Sequence, residues 1–247
     1  MMLETSIHIR QGIAFAFALF AFSYINKNDV KKFILFAFIA FNIHKVIIVL
    51  FIIYFIVFFL SKKKIPIYLI AIAYTIATFV PQVFNIDSFT KYVELIQIGG
   101  KYDGYIDNAN TLFSNDANRS NWQQSPAALI ISYLCELSMF VIIDIALKKK
   151  EYREMRIYYY MFVIGAIFIR FFFLNELLRR TFTLPYMLYF IPLGYALSFI
   201  SYNKINLSHK NRVIYIICLN LVIIYMFLYY GRFIFLNENC GLLWNIS

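Results

Sequence analysis

The sequence predicts an all-α fold, a polytopic transmembrane bundle with about six full spans and a re-entrant helical hairpin over Phe33–Leu60. Three observations predict it. Of the 247 residues, 62% are hydrophobic and only 15% charged, which is more apolar surface than one globular core buries, so lipid must cover the rest. Several apolar stretches reach about 18 residues or more, the length a helix needs to cross roughly 30 Å of hydrocarbon. Lys and Arg, which leave a net charge of +10, cluster in short segments between these stretches. That pattern reports membrane orientation rather than nucleic-acid binding. Helices follow because lipid cannot satisfy an open sheet edge. Residues 1–247 are expected to form a single multi-pass transmembrane domain with an extracytoplasmic loop at 85–125.

The first apolar segment runs from about Ile7 to Ile25. It lacks the basic start and small-residue cleavage site of a signal peptide, so it is expected to remain as a span or anchor. Lys27, Lys31 and Lys32 follow it, which puts the N-terminus outside. The next segment, Phe33 to Leu60, is about 42 Å long as one helix and is interrupted by Asn42, His44 and Lys45. Both its ends are basic, with Lys62, Lys63 and Lys64 beyond the second. A single crossing would put one basic end on the wrong side. Two short helices, Phe33 to Phe41 and Val46 to Leu60, would turn back at His44 and Lys45 on the outer side; the alternative is one tilted helix.

Pro66 to Phe84 then crosses outward, and the polar stretch Asn85 to Ser125 follows, a length of loop that is usually functional or disordered. Pro126 to Leu147 returns to the cytoplasmic run at Lys148. Ile157 to Leu174 carries Arg170 near its end and opens onto an outer segment with Glu176, Arg179 and Arg180. Thr181 to Ser201 is expected to be one helix kinked at Pro185 and Pro192. A cytoplasmic loop with Lys204, His209, Lys210 and Arg212 leads to Val213–Tyr230 and an outer tail beginning near Arg232. Cys135, Cys218 and Cys240 show no metal or redox spacing, and the first two read as apolar fillers. The sequons at Asn118 and Asn206 are too short a pattern to outweigh chance.

This topology brings Arg10, His44, Lys45, Arg170, Arg179, Arg180 and Arg232 to the outer face. Cations away from the cytoplasmic side need a reason, and a bound anion supplies one, since the Arg fork donates two parallel hydrogen bonds to a phosphate. The plainer readings stay beside it: Lys45 snorkels, Arg170 and Arg179 pair with Glu176 or lipid phosphates, Arg10 and Arg232 anchor at the interface, and His44 is a satisfied interior histidine. Glu136 and Asp144, two turns apart, form either a proton relay or a buried pair. Asp103 and Asp107 either bind a sugar or act as a base, or belong to a solvated loop. No phosphate loop, nucleophile elbow, nucleotide fingerprint or metal motif is present in the sequence.

The stretch Ile9-Arg10-Gln11-Gly12-Ile13-Ala14, the basic turn to Lys32, and Ala40-Phe41-Asn42-Ile43-His44-Lys45 together resemble the EpsG family, Wzy-like membrane proteins of exopolysaccharide and capsule assembly. Arg10, Gln11, Ile13, Ala14, Ala40 and His44 match its pattern, whereas Ile43 stands where Phe is usual and Val46 where Ser is usual. Arg180-Thr181-Phe182-Thr183-Leu184-Pro185-Tyr186 loosely resembles the family's Arg-plus-aromatic segment. Members usually have further spans before the Arg-Gln helix, so the chain is expected to be N-terminally truncated or to start at an internal Met.

The resemblance implies a membrane polymerase, a glycosyltransferase that joins lipid-linked oligosaccharide repeat units in exopolysaccharide, capsule or O-antigen biosynthesis. Its implied substrate is a polyprenyl-diphosphate-linked oligosaccharide. Membrane lipid and other polysaccharide-assembly proteins are the implied partners, with no cofactor, metal or nucleic acid. Catalytic roles fall on His44, Arg10 and Arg180; Gln11, Lys45, Arg170, Arg179, Asp103, Asp107 and Arg232 are the expected substrate contacts. The competing classes are a transporter or lipid-linked sugar flippase, which would favour paired repeats with matching broken helices, and a non-catalytic subunit of the assembly machinery.

Overall fold

The computed structural model describes residues 2–27, 29–83, 126–149, 153–172, 176–202 and 209–236, and every element among them is helical. In chain order these are α1 (Met2–Asn26), α2 (Val30–Ile43), α3 (Ile47–Leu60), α4 (Ile67–Val83), α5 (Pro126–Lys149), α6 (Arg153–Phe171), α7 (Glu176–Met187), α8 (Phe190–Tyr202) and α9 (His209–Leu236). They group into two compact units. The first holds α1 to α4, α6, α7 and the start of α8; the second holds α5, the rest of α8 and α9.

In the first unit α1 and α2 form an antiparallel pair. Ala14, Ala18 and Ala21 make a fully buried stripe on α1, and Ala40 is fully buried on α2. Small side chains at helical spacing let two backbones approach closely, which suits a seam where lipid gives no hydrophobic drive between helices. The turn between them closes on Asp29, whose carboxylate accepts the Lys32 amide N–H at 3.2 Å and pairs with Lys32 Nζ at 3.1 Å. These bonds hold the Asp29 carboxyl below its usual range. Lys27 and Lys32 lie over the Tyr24 ring, which itself stacks on Phe36 at 5.3 Å.

Between α2 and α3 the chain doubles back. Phe33, at the start of α2, lies 6.0 Å from Phe51 and 6.1 Å from Phe55 by ring centroid, both on α3. One continuous helix would hold Phe33 and Phe55 about 33 Å apart, so the single tilted helix is excluded and the two basic ends meet at one end of the unit. The break is at His44: its backbone is extended (φ −149°, ψ 107°) while its N–H still bonds the Ala40 carbonyl at 3.0 Å. Phe22 of α1 stacks on Tyr54 at 4.2 Å and meets Phe51 edge-on, filling the space between the arms.

The turn from α3 to α4 is held by α6. Buried Arg156 donates Nη1–H to the Ser61 carbonyl at 3.1 Å, the Tyr160 hydroxyl donates to the Lys63 carbonyl at 3.3 Å, and it accepts the Ile65 N–H at 2.8 Å. Arg153 covers the Phe58 ring at 4.4 Å. Without such partners the turn's buried carbonyls would go unpaired, at roughly 1–3 kcal/mol each. From this anchor α4 and α6 rise side by side, and Arg170 donates Nε–H to the Tyr74 hydroxyl at 3.1 Å.

Helix α7 returns against α6, with Phe182 stacked on Phe168 at 4.5 Å and Phe172 at 5.7 Å. The closest approach is at buried Gly165, where a Cβ would strike the Tyr186 backbone nitrogen and lie 2.7 Å from the Tyr186 Cα. The expected kinked helix over Thr181–Ser201 is instead two helices, and α7 begins earlier, at Glu176. Pro192 has no N–H to continue an α-helical ladder, so the chain tightens. Leu188, Tyr189 and Ile191 donate to carbonyls three residues back, at 3.3, 3.1 and 3.1 Å.

In the second unit α5 packs on α9, and the Ser138 hydroxyl of α5 donates to the Leu134 carbonyl at 2.7 Å. Cys135 is buried and Cys218 half-buried. Asp144 pairs with Lys148 at 2.7 Å, one turn on, so it is an ion pair at the helix end and not a partner of Glu136, which is buried higher on α5.

Candidate functional site: the Gln11–His44 end of the first unit

The Ala seam of α1 and α2 ends in a polar pair. Gln11 lies on the same stripe as Ala14 and Ala18, and its amide N–H donates to His44 Nε2 at 3.3 Å. Both side chains are half-buried. With the amide in this orientation the bond takes the Nε2 lone pair, which favours the neutral ring. Burial acts in the same direction, lowering the His44 pKa from its ordinary value. Lys45 and Arg10, the next residues in the turn and on α1, are exposed.

The heights of the other cations follow from helical rise. The 14 residues of α3 separate the Ser61 anchor from the His44 turn by about 21 Å. Along α6, Arg156 at that anchor and Arg170 are also about 21 Å apart. Arg170 therefore lies toward the His44 end of α6, with its guanidinium bonded to Tyr74 of α4. Because Phe182 of α7 sits between Phe168 and Phe172, Arg179 and Arg180 are at this same end. The opposite end carries Lys27, Lys31, Lys32, Lys62, Lys63, Lys64 and Arg153, all exposed.

The expected site residues thus divide. Arg10, Gln11, His44, Lys45, Arg170, Arg179 and Arg180 share one end of one unit, and of these Arg170 is buried against Tyr74 rather than open to the surface. Arg232 falls on α9 of the second unit. Asp103 and Asp107, the sequon residues Asn118 and Asn206, and Cys240 lie outside the described residues. Sequence reasoning missed Arg156 and Tyr160. Arg156 stands just before the apolar run that begins at Ile157 and Tyr160 is one of several tyrosines within it, so neither carried a local signal.

The described helices carry large apolar side chains on their outer faces, among them Phe38, Phe59 and Phe227 at 65%, 65% and 74% exposure. Water penalises such faces, while lipid matches them. Leu129–Lys148 is long and apolar enough to cross a membrane, with mean hydropathy 2.1; Ile9–Ile25, Ile47–Leu60, Ile67–Val80 and Asn211–Phe227 are shorter apolar helices. Fold and surface together define an all-helical membrane protein. The EpsG family model matches residues 1–239, and the chain belongs to the EpsG family, which makes it an exopolysaccharide-associated membrane protein. No curated protein and no solved structure matches it.

Proposed function

We propose that the chain is a multi-pass polymerase of the cytoplasmic membrane, joining oligosaccharide repeat units carried on polyprenyl diphosphate. The observation that carries this reading is a neutral histidine, held by Gln11, at the end of the unit where cations from α1, the His44 turn, α6 and α7 collect. The acceptor hydroxyl oxygen bonds to the anomeric carbon of the growing chain as the bond from that carbon to the diphosphate breaks. His44 takes the hydroxyl proton and later yields it to water. Arg10 and Arg180 stabilise the charge that develops on the leaving diphosphate. Lys45, Arg179 and the loop with Asp103 and Asp107 grip the substrate, and the buried Arg170 supports that end through Tyr74. No metal or nucleotide is needed, because the diphosphate already activates the donor.

In this reading the α2–α3 hairpin is re-entrant, with His44 facing outward. Single cysteines at Lys27 and Lys63, in a background with Cys135, Cys218 and Cys240 changed to Ser, should both resist an impermeant thiol reagent applied from outside. Labelling of one but not the other would refute the topology. Arg10→Lys should cut the polymer formed per folded molecule by about tenfold, because a point charge cannot reproduce the bidentate fork on a phosphate. Wild-type polymer yield from that variant would reduce Arg10 to an interfacial anchor.

A further inference from the structure

We infer that Gln11 is a positioning residue for His44: the orientation of its amide sets which ring nitrogen carries the proton, and so which one is free to act as the base. The inference rests on the polymerase reading for its catalytic meaning but not for its physical content. The α1–α2 seam is already packed by Ala14, Ala18, Ala21 and Ala40, so a half-buried amide bonded to a half-buried imidazole adds nothing that the seam requires. Such a pair is useful for what it does to the ring.

In the observed orientation the Gln11 N–H donates to Nε2, which puts the ring proton on Nδ1 and occupies the remaining lone pair. The two ends of an amide are nearly the same size. A half-turn about the terminal bond of Gln11 presents Oε1 without moving either helix. The ring proton then sits on Nε2 and donates to Oε1, and Nδ1 is left with an open lone pair. When Nδ1 accepts the hydroxyl proton, the imidazolium keeps its Nε2–H bond to the amide oxygen. Gln11 thereby serves both protonation states, the role that the orienting carboxylate plays behind a catalytic histidine, but without a negative charge. This end holds the cations Arg10, Lys45, Arg170, Arg179 and Arg180 and, at the starts of α1 and α7, the carboxylates Glu4 and Glu176; a neutral orienter adds no charge of its own to the ring.

The test uses four proteins purified in nanodiscs with the imidazoles 15N-labelled: wild type, Gln11→Glu, Gln11→Met and His44→Gln. The chain has three histidines, and the His44 signals are assigned by their loss in His44→Gln. A carboxylate only accepts, so Gln11→Glu should lock the Nε2–H tautomer. It should also favour the imidazolium, raising the His44 titration midpoint by about one pH unit. A raised midpoint keeps the base protonated to higher pH, so the acid limb of polymer formation should move upward by the same amount. Gln11→Met keeps the side-chain length but cannot hold the ring. It should mix the tautomers and lower turnover about tenfold or more while folded yield stays normal. A purely structural Gln11 would leave the His44 tautomer and the turnover unmoved in Gln11→Met, and that result overturns the inference. If the 15N shifts respond as expected while turnover is indifferent to His44→Gln, the positioning stands and it is the polymerase role of His44 that falls.

Discussion

Replacing His44 with glutamine should lower the polymer formed per folded molecule by about 10²-fold or more, the usual scale of a general acid-base contribution. Glutamine keeps the polar bulk and can still hydrogen bond Gln11 across the α1–α2 seam, so helix pairing should survive. An amide, however, cannot take a proton from a sugar hydroxyl near neutral pH. The extended backbone at position 44 is ordinary for any L residue, so the substitution adds no strain there. His44→Leu should be equally inactive, because it too removes the base. Counting polymer per folded molecule separates chemistry from stability, and near-normal turnover with Gln would remove His44 from the mechanism.

The second large effect concerns Gly165. A methyl there would meet backbone and not the end of a flexible side chain: Tyr186 N, Tyr186 Cα at 2.7 Å and the Pro185 carbonyl carbon at 2.9 Å. The only relief is for α6 and α7 to move apart, which breaks the Phe168–Phe182 stack and shifts the end of the unit that carries Arg179 and Arg180. Overpacking of this kind costs about 1–3 kcal/mol, and a backbone neighbour argues for the upper part of that range. Gly165→Ala should therefore lower the melting temperature in detergent by several degrees, and Gly165→Leu should leave little folded protein. Gly12 and Gly194 are controls, since a Cβ at either meets nothing within 4 Å. Alanine at those positions should be neutral or slightly stabilising, because Gly is the poorer helix former. A Gly165→Ala protein as stable as wild type would refute the close approach.

The sequence alone determined that the chain is helical, where most of its helices run, and which residues stand out chemically. Apolar length and basic punctuation are local properties, readable without knowing any neighbour. They also predicted a break at His44, because polar residues interrupt an apolar run too long for one span. The family's Arg-Gln and Ala-x-x-x-His pattern was legible as a resemblance, but its physical sense was not: only packing shows that the Ala positions form the seam which carries Gln11 to His44. Pairings across long separations were decided by tertiary structure. Phe33 against Phe55 made the hairpin certain, Arg156 and Tyr160 proved to clamp a turn more than 90 residues earlier in the chain, and Arg170 turned inward to Tyr74. Periodicity cannot show these, because it states which face of a helix is apolar but not which helix that face meets, and a cation's meaning depends on the partner it finds there.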